Sequence, residues 1–198
     1  MGLNLEYLDG QTPLDGDEND GLLIKTISTR GELDEFEQLN IEKAVEWTIS
    51  KKFKIENVFS EQFVKLLHNK MFCDTWVWAG KFRKTNKNIG VDKYLIGEEL
   101  RRLIDDCIFW VENKTYPEDE IAIKFKHRLV EIHCFPNGNG RHSRLMADVI
   151  ISKIFEKNYF TWSSSNLNKK SEARTNYLNA IKEGDKGNLQ PLIEFARS

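Results

Sequence analysis

The sequence predicts a mainly α protein, a helical bundle around one central helix with a single small β-hairpin. Three observations carry this. Apolar residues recur at three- and four-residue spacing through most of the chain. The composition, 40% hydrophobic and 11% aromatic with only 12 Gly and 4 Pro in 198 residues, fits one compact domain rather than a disordered, collagen-like or linker-rich chain. The aromatic, β-favouring residues concentrate in one stretch, Asp74 to Arg83, followed by a polar, Gly-containing segment from Thr85 to Lys93.

Taken in order, residues 1–27 are rich in Gly and Asp and lack periodicity, which predicts an extended arm packing only through Leu22, Leu23 and Ile24, ahead of a domain spanning 28–198. Leu33, Phe36, Leu39, Ile41, Ala44, Val45 and Ile49 then mark a helix, with Thr29 and Glu32 spaced as a capping box at its start. Ser60 caps a second helix with the stripe Phe63, Val64, Leu67 and Met71. Past the hairpin region, Gly97 precedes a helix through Leu100, Leu103, Ile104, Cys107, Ile108 and Val111. Pro117 separates it from another that begins near Glu118 and carries Ile121, Phe125, Leu129 and Ile132. The run from Leu145 to Phe155 is apolar almost all round, so that helix belongs at the centre. A polar loop at Ser163 to Asn168, a helix through Ala173, Tyr177, Leu178 and Ile181, and a terminal helix after Gly187 complete the chain.

Charge and cysteine content exclude several functions. With 29 basic and 31 acidic residues the formal charge is −2 and the pI is about 6.1, so no basic footprint for direct nucleic-acid binding exists. Cys73, Cys107 and Cys134 are odd in number and far apart, which signals neither a disulfide framework nor a zinc site. The acidic start and the absence of a long apolar window predict a cytoplasmic protein without membrane association.

The informative segment is His133-Cys-Phe-Pro-Asn-Gly-Asn-Gly-Arg-His-Ser-Arg144, lying between two apolar helices. Glycines at 138 and 140 allow backbone N–H groups to converge on an anion at the following helix N-terminus. Arg141 and Arg144, three apart, share a helix face and can grip phosphate oxygens. His133 stands at the entrance, where it could take a proton from a hydroxyl. The bland alternative is a turn whose arginines make surface ion pairs, but an ordinary turn does not need this residue set. His68, His127 and His142 read as surface or partly buried side chains, with no zinc-like spacing, and Trp76 and Trp78 read as core.

This segment resembles the signature of the Fic/Doc family, written HxFx(D/E)GNGRxxR. The approach Trp78-Ala-Gly-Lys-Phe-Arg83 and the late Tyr177 and Gly184-Asp185 extend the likeness over roughly residues 30–195. The arm and Thr29-Arg-Gly-Glu-Leu33 resemble the bacterial subgroup called mobile mystery protein B. The resemblance implies a Fic fold at 28–198 that transfers AMP from ATP to a Ser, Thr or Tyr hydroxyl of a target protein. His133 would be the general base and Phe135 the loop anchor. Gly138, Asn139 and Gly140 would hold the α- and β-phosphates, Arg141 the β-phosphate and Arg144 the γ-phosphate. Asn88, Ile89 and Gly90 would form a flap that aligns the target by strand addition. The subgroup also implies a helix-turn-helix partner protein.

Two departures shape the expectation. Asn137 stands where the family has a magnesium-ligating acid, which makes it a weak ligand for Mg²⁺ or Mn²⁺. Cys134 replaces the usual Pro. The family's inhibitory pattern (S/T)xxxE(G/N) fits Ser28 to Glu32 in five positions, whereas Leu33 departs from the sixth. Glu32 is therefore expected either to pair with Arg144 and restrain the enzyme or simply to close the capping box, with Glu35 and Glu37 as alternatives for the restraint. Other readings of the same scaffold are transfer of UMP, phosphate or phosphocholine, and a nucleotide-binding regulator without turnover.

Overall fold

The computed structural model describes residues 13–164 and 171–198; the first twelve residues of the expected arm, positions 165–168 of the expected polar loop and Lys169–Lys170 lie outside them. The described chain is mainly α. Helix α1 (Gly16–Asn19) lies in the arm, followed by α2 (Arg30–Ser50), α3 (Ile55–Val58), α4 (Glu61–Phe72), α5 (Ile96–Asn113), α6 (Glu118–Ile132), α7 (Asn139–Val149), α8 (Glu172–Asp185) and α9 (Gln190–Arg197). A π-helical turn, Ile150–Ile154, continues α7, so the central apolar run is not one uniform α-helix. No described helix is long and apolar enough to cross a membrane.

Packing follows from which faces are apolar. Helix α7 with its π turn is the hub: Leu145, Met146, Ala147, Val149, Ile150 and Ile151 are all buried, against α6 on one side and α4 on another. Helix α5 backs α6, α2 covers α4, and α9 closes against α8. Phe59 and Phe125 meet at 5.7 Å in the core, and Trp47, Phe53 and Phe63 form a second aromatic cluster. His127 of α6 reaches Asp185 at the end of α8 at 2.9 Å, and a Cβ at Gly184 would come within 2.8 Å of that ring, so α8 seats only where a glycine lets it.

Helix α2 departs from its sequence pattern. Thr29 and Glu32 do close the capping box, but the buried face is Leu33, Glu37, Asn40, Ala44 and Thr48, while Phe36, Leu39 and Ile49 are exposed. The polar members of that face have partners: Asn40 donates to the Lys70 carbonyl at 3.1 Å and accepts from the Asp74 N–H at 2.8 Å.

The expected hairpin is a second departure. Residues 77–93 are turns and bends, and among the described residues the only β pairing is an isolated antiparallel bridge, Leu22 with Trp76. Arg83 explains why. Its guanidinium fills the loop from inside, donating to the carbonyls of His133 at 2.6 Å, Thr85 at 2.8 Å and Val91, so that carbonyls a hairpin would pair across strands are paired to one side chain. Nor does the arm pack only through apolar residues. Leu22 is buried and Leu23 half exposed, while Asp15 and Glu18 both hold Lys87 of the loop, Asp15 also accepts from Thr85, and the Glu18 carbonyl accepts from Trp78 Nε1 at 3.0 Å.

Candidate active site

The loop between α6 and α7 is built by two left-handed residues. His133 ends α6 with φ 57°, and Gly138 precedes α7 with φ 77°. A Cβ at Gly138 would lie 2.5 Å from the Phe72 ring, so glycine is required there by close approach as well as by backbone angle. Between them, Asn139 braces the turn by accepting from the Phe135 N–H at 3.0 Å and donating to the Phe135 carbonyl at 2.8 Å. Phe135 is fully buried, stacked on His68 at 3.7 Å and edge-on to His142 at 5.2 Å. The Asn139 side chain is thus spent inside the loop, and only its backbone N–H remains for a phosphate.

Helix geometry leaves the N–H groups of Asn139, Gly140 and Arg141 without intrahelical acceptors. Space beside them is open, since a Cβ on Gly140 would meet nothing within 4 Å. This is the arrangement of an anion seat at a helix N-terminus. Arg141 and Arg144, however, face different neighbours. Arg141 lies 5.0 Å over the Phe72 ring and pairs with Glu37 at 2.6 Å; Glu37 is 3% exposed and also accepts from Trp76 Nε1 at 2.6 Å. Arg144 rests over the Tyr177 ring at 5.4 Å.

Glu32 does not meet Arg144. Its carboxylate accepts from the N–H groups of Ser28 at 2.9 Å and Thr29 at 3.0 Å, and from the Ser28 hydroxyl at 3.3 Å, and these bonds hold it below the usual carboxylate range. The acid that reaches the motif is Glu37, five residues further on, and it takes the first arginine rather than the second. Asn137 is also engaged: its Oδ1 accepts from the Gly138 N–H at 2.6 Å, and its carbonyl accepts from His68 Nε2 at 3.0 Å. With no Asp or Glu between 133 and 144, the loop offers a divalent cation only neutral ligands, among them the already bonded Asn137 side chain.

His133 is 4% exposed. Its Nδ1 faces the Val130 carbonyl at 3.2 Å, which makes Nδ1 the protonated nitrogen and Nε2 the accepting one. Burial above all, with Arg83 and Lys87 adding their charge, brings its pKa down to about 4, against the Val130 hydrogen bond. The ring is covered by the loop carrying Asn88, Ile89 and Gly90: a Cβ at Gly90 would lie 2.6 Å from the His133 Cβ. Flap and histidine are therefore brought together, although Asn88 and Ile89 point to solvent. Cys134 is buried with its thiol pushed up to about 12, so it is not a nucleophile beside the histidine.

Sequence reasoning missed the bracing roles. His68, read as a surface or partly buried residue, is fully buried and links two loops, accepting from the Gly80 N–H at 3.0 Å while donating to Asn137. His142 is buried as well. Trp76 and Trp78 are core, stacked at 4.8 Å. Glu37 was expected only as an alternative to Glu32, with Glu35, and its place on the buried face of α2 with Leu33, Asn40 and Ala44 comes from its polar partners.

Comparison with known proteins agrees with this geometry. Residues 58–151 match the model of the Fic/DOC family. BepC, a VirB-translocated effector protein of Bartonella tribocorum solved with bound AMPPNP, superposes with a TM-score of 0.69 at 19% identity over 92% of this chain and 97% of its own. The N-terminal Fic domain of a Bep effector from Bartonella quintana gives 0.68 at 17% identity, over 88% of this chain and 84% of that one. Fic-1 from C. elegans gives 0.65 at 20% identity over 90% of this chain, which spans 51% of that structure. Residues 58–151 are thus similar to the Fic/DOC family, and the described chain has the Fic fold.

Proposed function

We propose that this protein is an adenylyltransferase, moving AMP from ATP to a hydroxyl side chain of a target protein, and that Glu37 restrains it. The observation that carries the reading is the loop itself: a left-handed histidine poised with Nε2 as acceptor, followed by an open helix N-terminus flanked by two arginines. The AMPPNP in BepC supports a nucleoside triphosphate as donor on this fold.

In this reading Gly138 shapes the loop, the backbone N–H groups of Asn139 and Gly140 together with Arg141 hold the α- and β-phosphates, and Arg144 holds the γ-phosphate. The target oxygen attacks the α-phosphorus, the bond to the bridging oxygen breaks, pyrophosphate leaves, and the hydroxyl proton passes to His133 Nε2. A neutral imidazole is ready for this at physiological pH, since its pKa lies near 4. Divalent Mg²⁺ or Mn²⁺ would come with the nucleotide, because Asn137 gives it little hold. Phe135 anchors the loop, and the flap around Gly90 admits the target segment.

Restraint follows from charge. A carboxylate paired with Arg141 occupies the guanidinium that a phosphate needs, and displacing it inside a half-buried site costs binding energy. The expected reactant is cytoplasmic ATP, residues 28–198 form the catalytic unit, and Asp15 and Glu18 of the arm hold the flap through Lys87. A complex with a helix-turn-helix protein, implied by the mobile mystery protein B likeness, is tested by co-elution of the two proteins. The Asn137 side chain and the Glu37–Arg141 pair also support a second reading, a nucleotide-binding regulator with little turnover.

The test is the intact mass of purified protein after incubation with ATP and Mg²⁺ or Mn²⁺. Glu37→Gln, which keeps an acceptor for Trp76 while removing the charge, should gain AMP; wild type and Glu32→Gly should gain little; His133→Ala/Glu37→Gln should gain none. Nucleotide binding by calorimetry without any added mass would favour the regulator.

A further inference from the structure

Lys126 is the anomaly of the interior. It is fully buried in α6, and among the described residues neither its Nζ nor the Tyr177 hydroxyl has a hydrogen-bond partner. The Nζ lies 4.8 Å from the centroid of the Tyr177 ring, and the Arg144 guanidinium lies 5.4 Å from the same centroid. One aromatic ring thus carries two cationic groups. The carboxylates that face this region are committed elsewhere: Asp148 accepts from Trp162 Nε1 at 3.1 Å, and Asp185 pairs with His127 at 2.9 Å. Lys126, Arg144 and the Tyr177 hydroxyl meet from α6, α7 and α8 with the phenol oxygen as the one acceptor between the two cations and no carboxylate paired with either among the described residues, and buried cations are seldom left so.

We propose that Lys126 and Tyr177 are positioning residues for Arg144 and that the three together seat a phosphate-class anion, either the terminal phosphate of a nucleoside triphosphate or a free polyphosphate. This deepens the adenylyltransferase reading and rests on it for the nucleotide. The ring fixes the plane of the Arg144 guanidinium, as aromatic faces do for arginine. A second positive charge behind that ring acts through protein rather than water, so its attraction for an anion at Arg144 is weakly screened. The anion in turn supplies the missing counter-charge. Burial above all lowers the Lys126 pKa, with Arg144 adding to it and Tyr177 and Asp185 opposing. Burial also disfavours ionisation of Tyr177, but Lys126 and Arg144 outweigh it.

The experiment is titration calorimetry of the full chain with ATP, ADP and inorganic tripolyphosphate. Lys126→Met should weaken ATP and tripolyphosphate about tenfold and ADP by less than about threefold. Tyr177→Phe should bind nearly as wild type, whereas Tyr177→Leu should lose as much as Lys126→Met, because the ring rather than the hydroxyl orients Arg144. Lys126→Met removes an unpaired buried amine and should melt no lower than wild type, so weaker binding cannot be charged to unfolding. Unchanged ATP affinity in Lys126→Met, or an equal loss for ATP and ADP, would overturn the proposal. If wild type binds no nucleotide, the adenylyltransferase reading fails; tripolyphosphate then decides, with binding that Lys126→Met weakens supporting the anion seat and no binding overturning it.

Discussion

Gly138 shows how little freedom the motif loop has. A methyl group there would press on Phe72, the ring beneath Arg141, and would sit on a left-handed backbone. Gly138→Ala should lower stability by roughly 2–3 kcal/mol, read from denaturant unfolding, and should weaken nucleotide binding because Arg141 loses its platform. The histidines make a second residue-scale prediction. His133 and His142 are buried with pKa values of about 4 and about 3, burial being the main cause, and burial holds His68 well below the ordinary range. Each stays neutral in the fold while the unfolded chain takes protons below about pH 6.5, so stability is full above that pH and falls on acidification, by up to about 3 kcal/mol for His133 by pH 4. Asp148, raised to about 7 by burial, works the other way between pH 4 and 7, but three histidines outweigh one carboxyl. Urea unfolding at pH 7, 5.5 and 4.5 checks the direction; stability that rises as pH falls through this window contradicts it. These histidines were not legible as core because histidine patterns equally well as surface, and only the folded loop shows their partners.

At the scale of elements, the acidic arm and the flap act as a pair. Lys87 has a side chain only 3% exposed and is held by Asp15 and Glu18, while the same loop lies on His133 through Gly90. Asp15→Asn/Glu18→Gln should loosen residues 84–92, seen as faster amide exchange there with little change in α6 or α7. Once the flap lifts, His133 regains water and loses the neighbouring Lys87 charge, so the acid limb of the activity profile should move from near pH 4 up toward the ordinary imidazole value. Unchanged exchange in 84–92 would show that the flap is held by Arg83 alone. Helix α2 teaches the matching lesson about legibility. Its cap was readable from Thr29 and Glu32, but its buried face was not, because Glu37 and Asn40 serve polar partners far along the chain and periodicity weighs only apolar residues. The hairpin failed for a similar reason: aromatic residues suggested strands, yet Arg83 satisfies the loop carbonyls that strands would share.

For the whole molecule, local sequence sufficed where burial is one-sided. Helices α4, α5 and α6 and the central α7 run came from apolar spacing, from Ser60 and from Pro117. The site was legible as a loop because its Gly, His and Arg residues are contiguous. Glu37, Lys87, Lys126 and Tyr177 join it only through tertiary packing. The most direct measurement of the central claim is transfer of radiolabel from ATP carrying ³²P at either the α- or the γ-position to Glu37→Gln protein or its target. The account predicts label from the α-position alone, absent when His133 is also replaced by Ala. Label from the γ-position, or α-label that persists without His133, would contradict it.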